Sequence, residues 1–260
     1  MRFEDLFDRI ISSANDQEAA LANPRKLIIC TTPRTAGHSV CRILHHNGLG
    51  IPTEYFQWQY ALPLMKRWSA DDKMDLDKLQ LQAPVYGRHL LRNRSVDGIF
   101  SAKIFHENFD FMRRSIGGDD ADWVYVFLTR RNKTDQTISL LSMLLTGRPF
   151  ADDGVMRNVR QIEKVTRQAV ENVAMYISAS EANWKMKLSE IDADRVSTVS
   201  YEDFVSDPSK TLAAAMGAWF PHVDFQARPD SGTSRYLTDS RIKIAIEDEF
   251  GEYIDRFWRS

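Results

Sequence analysis

Of the 260 residues only two are cysteine, Cys30 and Cys41. That argues against the disulfide framework of a small secreted domain, and neither the cysteine spacing nor any nearby histidine pair resembles a zinc site, so no metal ligand set is expected. Charge of one sign is missing too: 34 Lys and Arg face 36 Asp and Glu, a formal net charge of −2. Such a balance carries no global attraction to nucleic acid or to an anionic membrane, so any anion site must be local. No apolar run approaches the roughly 18 residues of a membrane-spanning helix. No internal repeat or low-complexity tract stands out. These absences predict a reduced, cytoplasmic setting. The opening stretch MRFEDLFDRIISSANDQEAA interleaves acids with Phe3, Leu6, Phe7, Ile10 and Ile11. It predicts an amphipathic helix over about 1–22 rather than a signal peptide.

What is present is a chain 43% hydrophobic, enough for a large core, read as one domain over 1–260. KLIIC (26–30) and WVYVFLT (123–129) are nearly continuous apolar runs, the pattern of strands covered on both faces. Each is followed by a polar turn and a helix-like stretch. Two strand-turn-helix units predict an α/β fold, P-loop-like and three-layered, with a central, mostly parallel sheet flanked by helices. GIFSAKIF (98–105) and RVSTVSY (195–201) are further strand candidates. Residues 61–97, interrupted by Pro63, Pro84 and Gly87, are expected to be a helical insertion. Between 155 and 190 apolar residues recur at helical spacing, predicting one long packing helix or two.

The first unit, LIICTTPRTAGHSVCRIL (27–44), has the build of a phosphate-binding loop. It lacks the Gly-Lys-Ser/Thr ending of an ATPase loop and carries Arg34 instead. Thr31, Thr32, Ala36 and Gly37 are small enough to let backbone amides approach an anion at a helix N-terminus. Arg34 adds a fork of donors, and His38 and Ser39 sit in the first turn. The same pattern also fits a helix capped by Thr35 beside a surface arginine. In the second unit, FLTRRNKTDQTISLL, Arg130 and Arg131 end a strand and Ser139 follows two helical turns later. Loops that follow neighbouring parallel strands share a crevice. Equally, the two arginines can be solvated or paired with Asp135.

The combination PRTAGHSV, IPTEYFQ, RRNKTDQTIS and VSYEDFVSDPSKTL, in that order, resembles the sulfotransferases that use 3'-phosphoadenosine 5'-phosphosulfate (PAPS), and most closely the bacterial Stf0 family. The resemblance implies a sulfuryl transferase acting on a small-molecule or glycan hydroxyl, as a homodimer. It implies that Arg34, Thr35, Ala36, Gly37, His38 and Ser39 hold the 5'-phosphosulfate, with Arg34 also catalytic. Ser139 and either Arg130 or Arg131 would hold the 3'-phosphate. Glu54 takes the place of the family's general base. Lys103 and His106, in a segment similar to a family strand, and the aromatic residues Tyr55 and Phe56 are implied at the acceptor. The loop departs from the family with Ala36 where Gly is usual, Gly37 where Ser is usual and His38 where Thr is usual. Arg235, Arg241 and Lys243 lie near where sulfotransferases place a basic loop. Two other readings stay open: a P-loop small-molecule kinase, and a non-catalytic nucleotide-binding protein on the same scaffold.

Overall fold

The computed structural model describes residues 10–17, 23–118, 122–146, 165–227 and 240–259. Among the described residues there are five strands, β1 (Arg25–Thr31), β2 (Ser95–Val96), β3 (Ile99–Ile104), β4 (Trp123–Thr129) and β5 (Val196–Ser200). They form one sheet in the order β2-β3-β1-β4-β5. β1 pairs in parallel with β3 on one side and β4 on the other, β5 is parallel to β4, and only the two-residue β2 runs antiparallel. Chain order reverses around β1, so the crevice at its carboxyl end is the place where open α/β sheets take ligands.

Alternation along the strands explains their unbroken apolar sequence. Ile28 and Cys30 of β1, with Trp123, Tyr125 and Phe127 of β4, enter one core; Leu27, Ile29, Val124, Val126 and Leu128 enter the core on the other face. Both faces are therefore dry, as the runs predict. The second face is covered by α1 (Gly37–His46) and α9 (Pro208–Met216), which follows the short α8 (Tyr201–Ser206). The first face is covered by α2 (Trp58–Ser69), α3 (Leu76–Leu81), α4 (Ala83–Arg94) and α5 (Phe109–Ile116). Residues 61–97 thus supply Leu64, Met65, Leu79, Tyr86 and Leu90 to the central core. Their mixed charge in sequence is that of helices with one wet face. Gly87 lets α4 and α5 touch: a Cβ built there would lie 1.8 Å from the Ser115 carbonyl oxygen.

A third cluster joins α6 (Lys133–Thr146), α7 (Arg167–Leu188) and α10 (Ser240–Arg259) through Ile138, Leu141, Ile177, Ile242 and Ile246. The helix expected over 155–190 is found from Arg167; its earlier part lies outside the described residues. The helix expected over about 1–22 also falls largely outside them. Within 10–17, Ile10 enters the core and Ser13–Asn15 form a short 3-10 turn. Among the described residues no helix is long and apolar enough to cross a membrane.

Candidate active site

The loop between β1 and α1 is held from within and by two helices. Thr35 donates its hydroxyl to the Thr32 carbonyl at 2.9 Å and lies 2.8 Å from the Thr31 hydroxyl, so both side chains tie the turn internally. From α6, the fully buried Gln136 donates to Thr32 Oγ1 at 3.1 Å and to the Pro33 carbonyl at 2.7 Å. From α7, Trp184 Nε1 donates to the Thr31 carbonyl at 2.9 Å. Thr35 is not the helix cap. That position belongs to Ala36, which is left-handed (φ 62°) and offers no side-chain oxygen. Arg34 also has positive φ (64°). Left-handed non-glycine residues are strained by about 1 kcal/mol each, and Gln136 and Trp184 hold that strain in place from outside the loop. The opening amides of a helix have no carbonyl one turn back to bond, so the start of α1 is open to an anion.

Arg34 reaches across the loop. Its Nε donates to Ser139 Oγ at 2.8 Å. Burial, then the neighbouring Arg130 guanidinium, hold its pKa below the ordinary arginine value. Arg130, at the end of β4, is buried; it contacts the Arg34 carbonyl oxygen at 3.4 Å and Asp135 Oδ2 at 3.1 Å, and stacks 4.1 Å over the Tyr201 ring. Asp135 is also 3.3 Å from Lys243 Nζ on α10. Arg131 faces elsewhere. It is 61% exposed, makes a two-pronged pair with Asp203 at 2.8 Å, and its backbone amide donates to Glu202. Two adjacent arginines in sequence therefore sit in different environments, one of them away from the loop.

On the other side of the loop lies a second constellation. Thr53 bridges to Ala102 of β3, and the Lys103 amide donates to the Thr53 carbonyl at 2.9 Å, which lays the segment carrying Glu54 along the strand carrying Lys103. The buried Glu54 carboxylate contacts Lys103 Nζ, and His38 Nε2 is 3.1 Å from that same nitrogen and 3.7 Å from Glu54 Oε1. Burial, then Lys103 and Arg34, push the His38 pKa well below the ordinary histidine value. Burial, with Glu54 second, raises the Tyr60 phenol to about 12. Gly37 makes the packing possible: a Cβ there would lie 3.1 Å from Lys103 Cδ and 3.2 Å from Thr31 Oγ1.

The structure thus gathers Arg34, Thr35, Ala36, Gly37, His38, Ser139, Arg130, Glu54 and Lys103 around the carboxyl ends of β1, β3 and β4. Ser39 is buried in the first turn of α1. Tyr55 and Phe56 are fully buried in the core, where Phe56 meets Tyr86 and Phe111 edge-on, and they present no face to the loop. They anchor the Glu54 segment: Tyr55 donates to the Ile51 carbonyl and receives Tyr86 at its own. His106 begins the turn after β3, its Nδ1 3.2 Å from Glu107 Oε2. Arg235 lies outside the described residues, as does the side chain of Arg241. Sequence reasoning did not find Gln136 and Trp184, which reach the loop from distant helices, or Tyr201, which stacks on Arg130 from beyond β5.

The model of the family described as Stf0 sulphotransferase matches residues 26–231. The chain belongs to the Stf0 sulfotransferase family. Everything just described except α10 lies within the matched span of this Stf0 protein. Solved structures similar to it include the sulfotransferase domain from the curacin biosynthetic pathway (15% identity over 82% of this chain and 77% of that one, TM-score 0.46). Others are the sulfotransferase domain of the Synechococcus PCC 7002 olefin synthase (16%, 84% and 83%, 0.46) and a sulfotransferase from Alicyclobacillus acidocaldarius (14%, 87% and 97%, 0.43). No curated protein matches it. Among the described residues no group of three or more His, Cys, Asp or Glu side chains could hold a metal.

Proposed function

We propose that this sulfotransferase uses PAPS and moves the sulfuryl group to a hydroxyl of a carbohydrate or glycolipid, with Glu54 as general base, in the cytoplasm and as a homodimer. The observation that supports it is the meeting of two constellations at one loop, an arginine pair with Ser139 and a buried carboxylate with Lys103. The residues fit an anionic donor. Arg130 Nε is buried with no hydrogen-bond partner among the described residues, an orphaned cationic donor of the kind a phosphate oxygen satisfies.

When bound, PAPS supplies a sulfuryl group activated on its 5'-phosphate and a 3'-phosphate by which it is held. The amides opening α1 and the Arg34 fork bind the phosphosulfate end and stabilise the charge that builds on the departing phosphate. Ser139 and Arg130 hold the 3'-phosphate, with Arg130 steadied by Asp135 and the Tyr201 ring. Arg131, committed to Asp203, is left out of that role. Glu54 accepts the hydroxyl proton as the new S–O bond forms. Tyr55 and Phe56 fix the backbone beside Glu54, while Lys103 and His106 border the acceptor. In-line positioning and electrostatics then lower most of the barrier.

The test is transfer of isotopically labelled sulfate from PAPS into an extract of the source organism, with the labelled product identified, beside calorimetric titration with PAP. A labelled sugar or glycolipid and saturable PAP binding are expected. A magnesium-dependent thermal shift with ATP and none with PAP overturns the proposal.

A further inference from the structure

We propose that His38 carries the reaction's proton out of the site, receiving it from Glu54 through Lys103 and releasing it to water; this rests on Glu54 being the base. The need for such a route is geometric. The Glu54 side chain is only 10% exposed and the Lys103 side chain 4%, whereas that of His38 is 33% exposed. Three groups in contact therefore lead from the largely covered Glu54 to the more open His38. Each sulfuryl transfer to an alcohol frees one proton, and a base that keeps it cannot serve the next turnover.

The chemistry at each contact is fixed by hydrogen count. A lysine ammonium has three donors and no acceptor. Its nitrogen lies 3.1 Å from His38 Nε2, so that ring nitrogen is the acceptor, the imidazole is neutral, and the ring proton is on Nδ1. Lys103 Nζ at the same time contacts the Glu54 carboxylate. Once Glu54 holds the hydroxyl proton, Lys103 gives one of its three protons to His38 Nε2, and the lone pair of the amine so formed takes the proton from Glu54. Carboxylate and ammonium are restored, His38 becomes an imidazolium, and its Nδ1 proton goes to water. Exchange with water then resets the tautomer. One proton enters the chain and one leaves.

The groups facing His38 favour that release. Burial first, then the cations Lys103 from β3 and Arg34 from its own loop, disfavour the charged ring, while the Glu54 carboxylate lies 3.7 Å away. The Thr usual in the family at this position has no such capacity, which gives the departure at His38 a chemical content.

The test begins with the free protein labelled with nitrogen-15 in its histidines. Magnetic resonance should show His38 neutral at pH 7, protonated on Nδ1, and titrating below an ordinary histidine; Lys103→Met should raise that titration. PAPS turnover with water as acceptor, read as PAP release at saturating PAPS, should slow at least about tenfold in His38→Ala. Free imidazole should restore it while PAP affinity stays unchanged. A protonated Nε2, a wild-type rate in His38→Ala, or a loss that imidazole does not rescue overturns the relay. Glu54→Gln separates the two ideas: a wild-type rate there removes the base itself, whereas a slow Glu54→Gln beside a normal His38→Ala removes the relay alone.

Discussion

Arg34 Nε and Ser139 Oγ stand 2.8 Å apart although 105 residues separate them in sequence. That hydrogen bond joins the first loop to α6 and puts the cation of one unit against the hydroxyl of the other.

Removing Arg34 should therefore cost donor affinity before anything else. Hydrogen bonds to charged groups contribute about 1.5–3 kcal/mol, so Arg34→Ala should weaken PAP binding roughly 10- to 100-fold by calorimetry. Ser139→Ala should have a smaller effect in the same direction. Equal affinity in Arg34→Ala and wild type would place the anion elsewhere.

The two adjacent arginines should separate cleanly. Arg130→Ala should lower PAP affinity at least about tenfold, since it removes a buried fork aimed at the loop. Arg131→Ala, which unties the Asp203 carboxylate at the surface, should leave PAP affinity as it was. The reverse pattern in the same titration would reassign the 3'-phosphate.

Glu54→Gln keeps the shape of the side chain and removes its capacity to take a proton. Transfer from labelled PAPS should fall about 100-fold or more while PAP affinity persists. Parallel loss of both would mean that Glu54 holds the loop rather than the proton.

Stability should follow pH through His38. In the unfolded chain it titrates near 6.5, and in the folded protein well below that. Above 6.5 its contribution to stability is complete; as pH falls past 6.5 the unfolded chain takes up a proton the folded protein refuses, and stability is lost. Urea midpoints measured on either side of that value should converge in His38→Gln. A slope unchanged by the substitution would assign the acid sensitivity to other groups.

Gly87→Ala should destabilise by about 1–3 kcal/mol, because its methyl meets the Ser115 carbonyl and helix backbone cannot step aside. A lowered melting temperature with unchanged PAP affinity is expected, since the contact is between α4 and α5 and not at the loop.

The parallel sheet was legible because its central strands are dry on both faces, and a run such as WVYVFLT has few other uses. The first loop was legible as local chemistry: a strand end, small residues, one arginine, a helix start. Arg130 and Arg131 could not be told apart, because their difference is set by Asp203 and Tyr201, both beyond β5. The family resemblance implies Tyr55 and Phe56 at the acceptor. Tyr55, Phe56 and Tyr60 are instead core, since helices α4 and α5 close over them, and no local pattern announces which partner will arrive. Residues 61–97 were obscure for a related reason: their apolar positions make sense only against the sheet they cover.

Gly37 adds a lesson about reading such loops. Its lack of a side chain serves volume and not backbone freedom: the left-handed turn falls on Ala36, while Gly37 is already helical and clears a channel for the Lys103 stem. The two requirements that one glycine usually meets are thus divided between neighbouring positions. A pattern search that demands glycine at the turn will pass over loops of this kind, and one that asks for a strand-to-helix loop of small residues beside a strand lysine will find them.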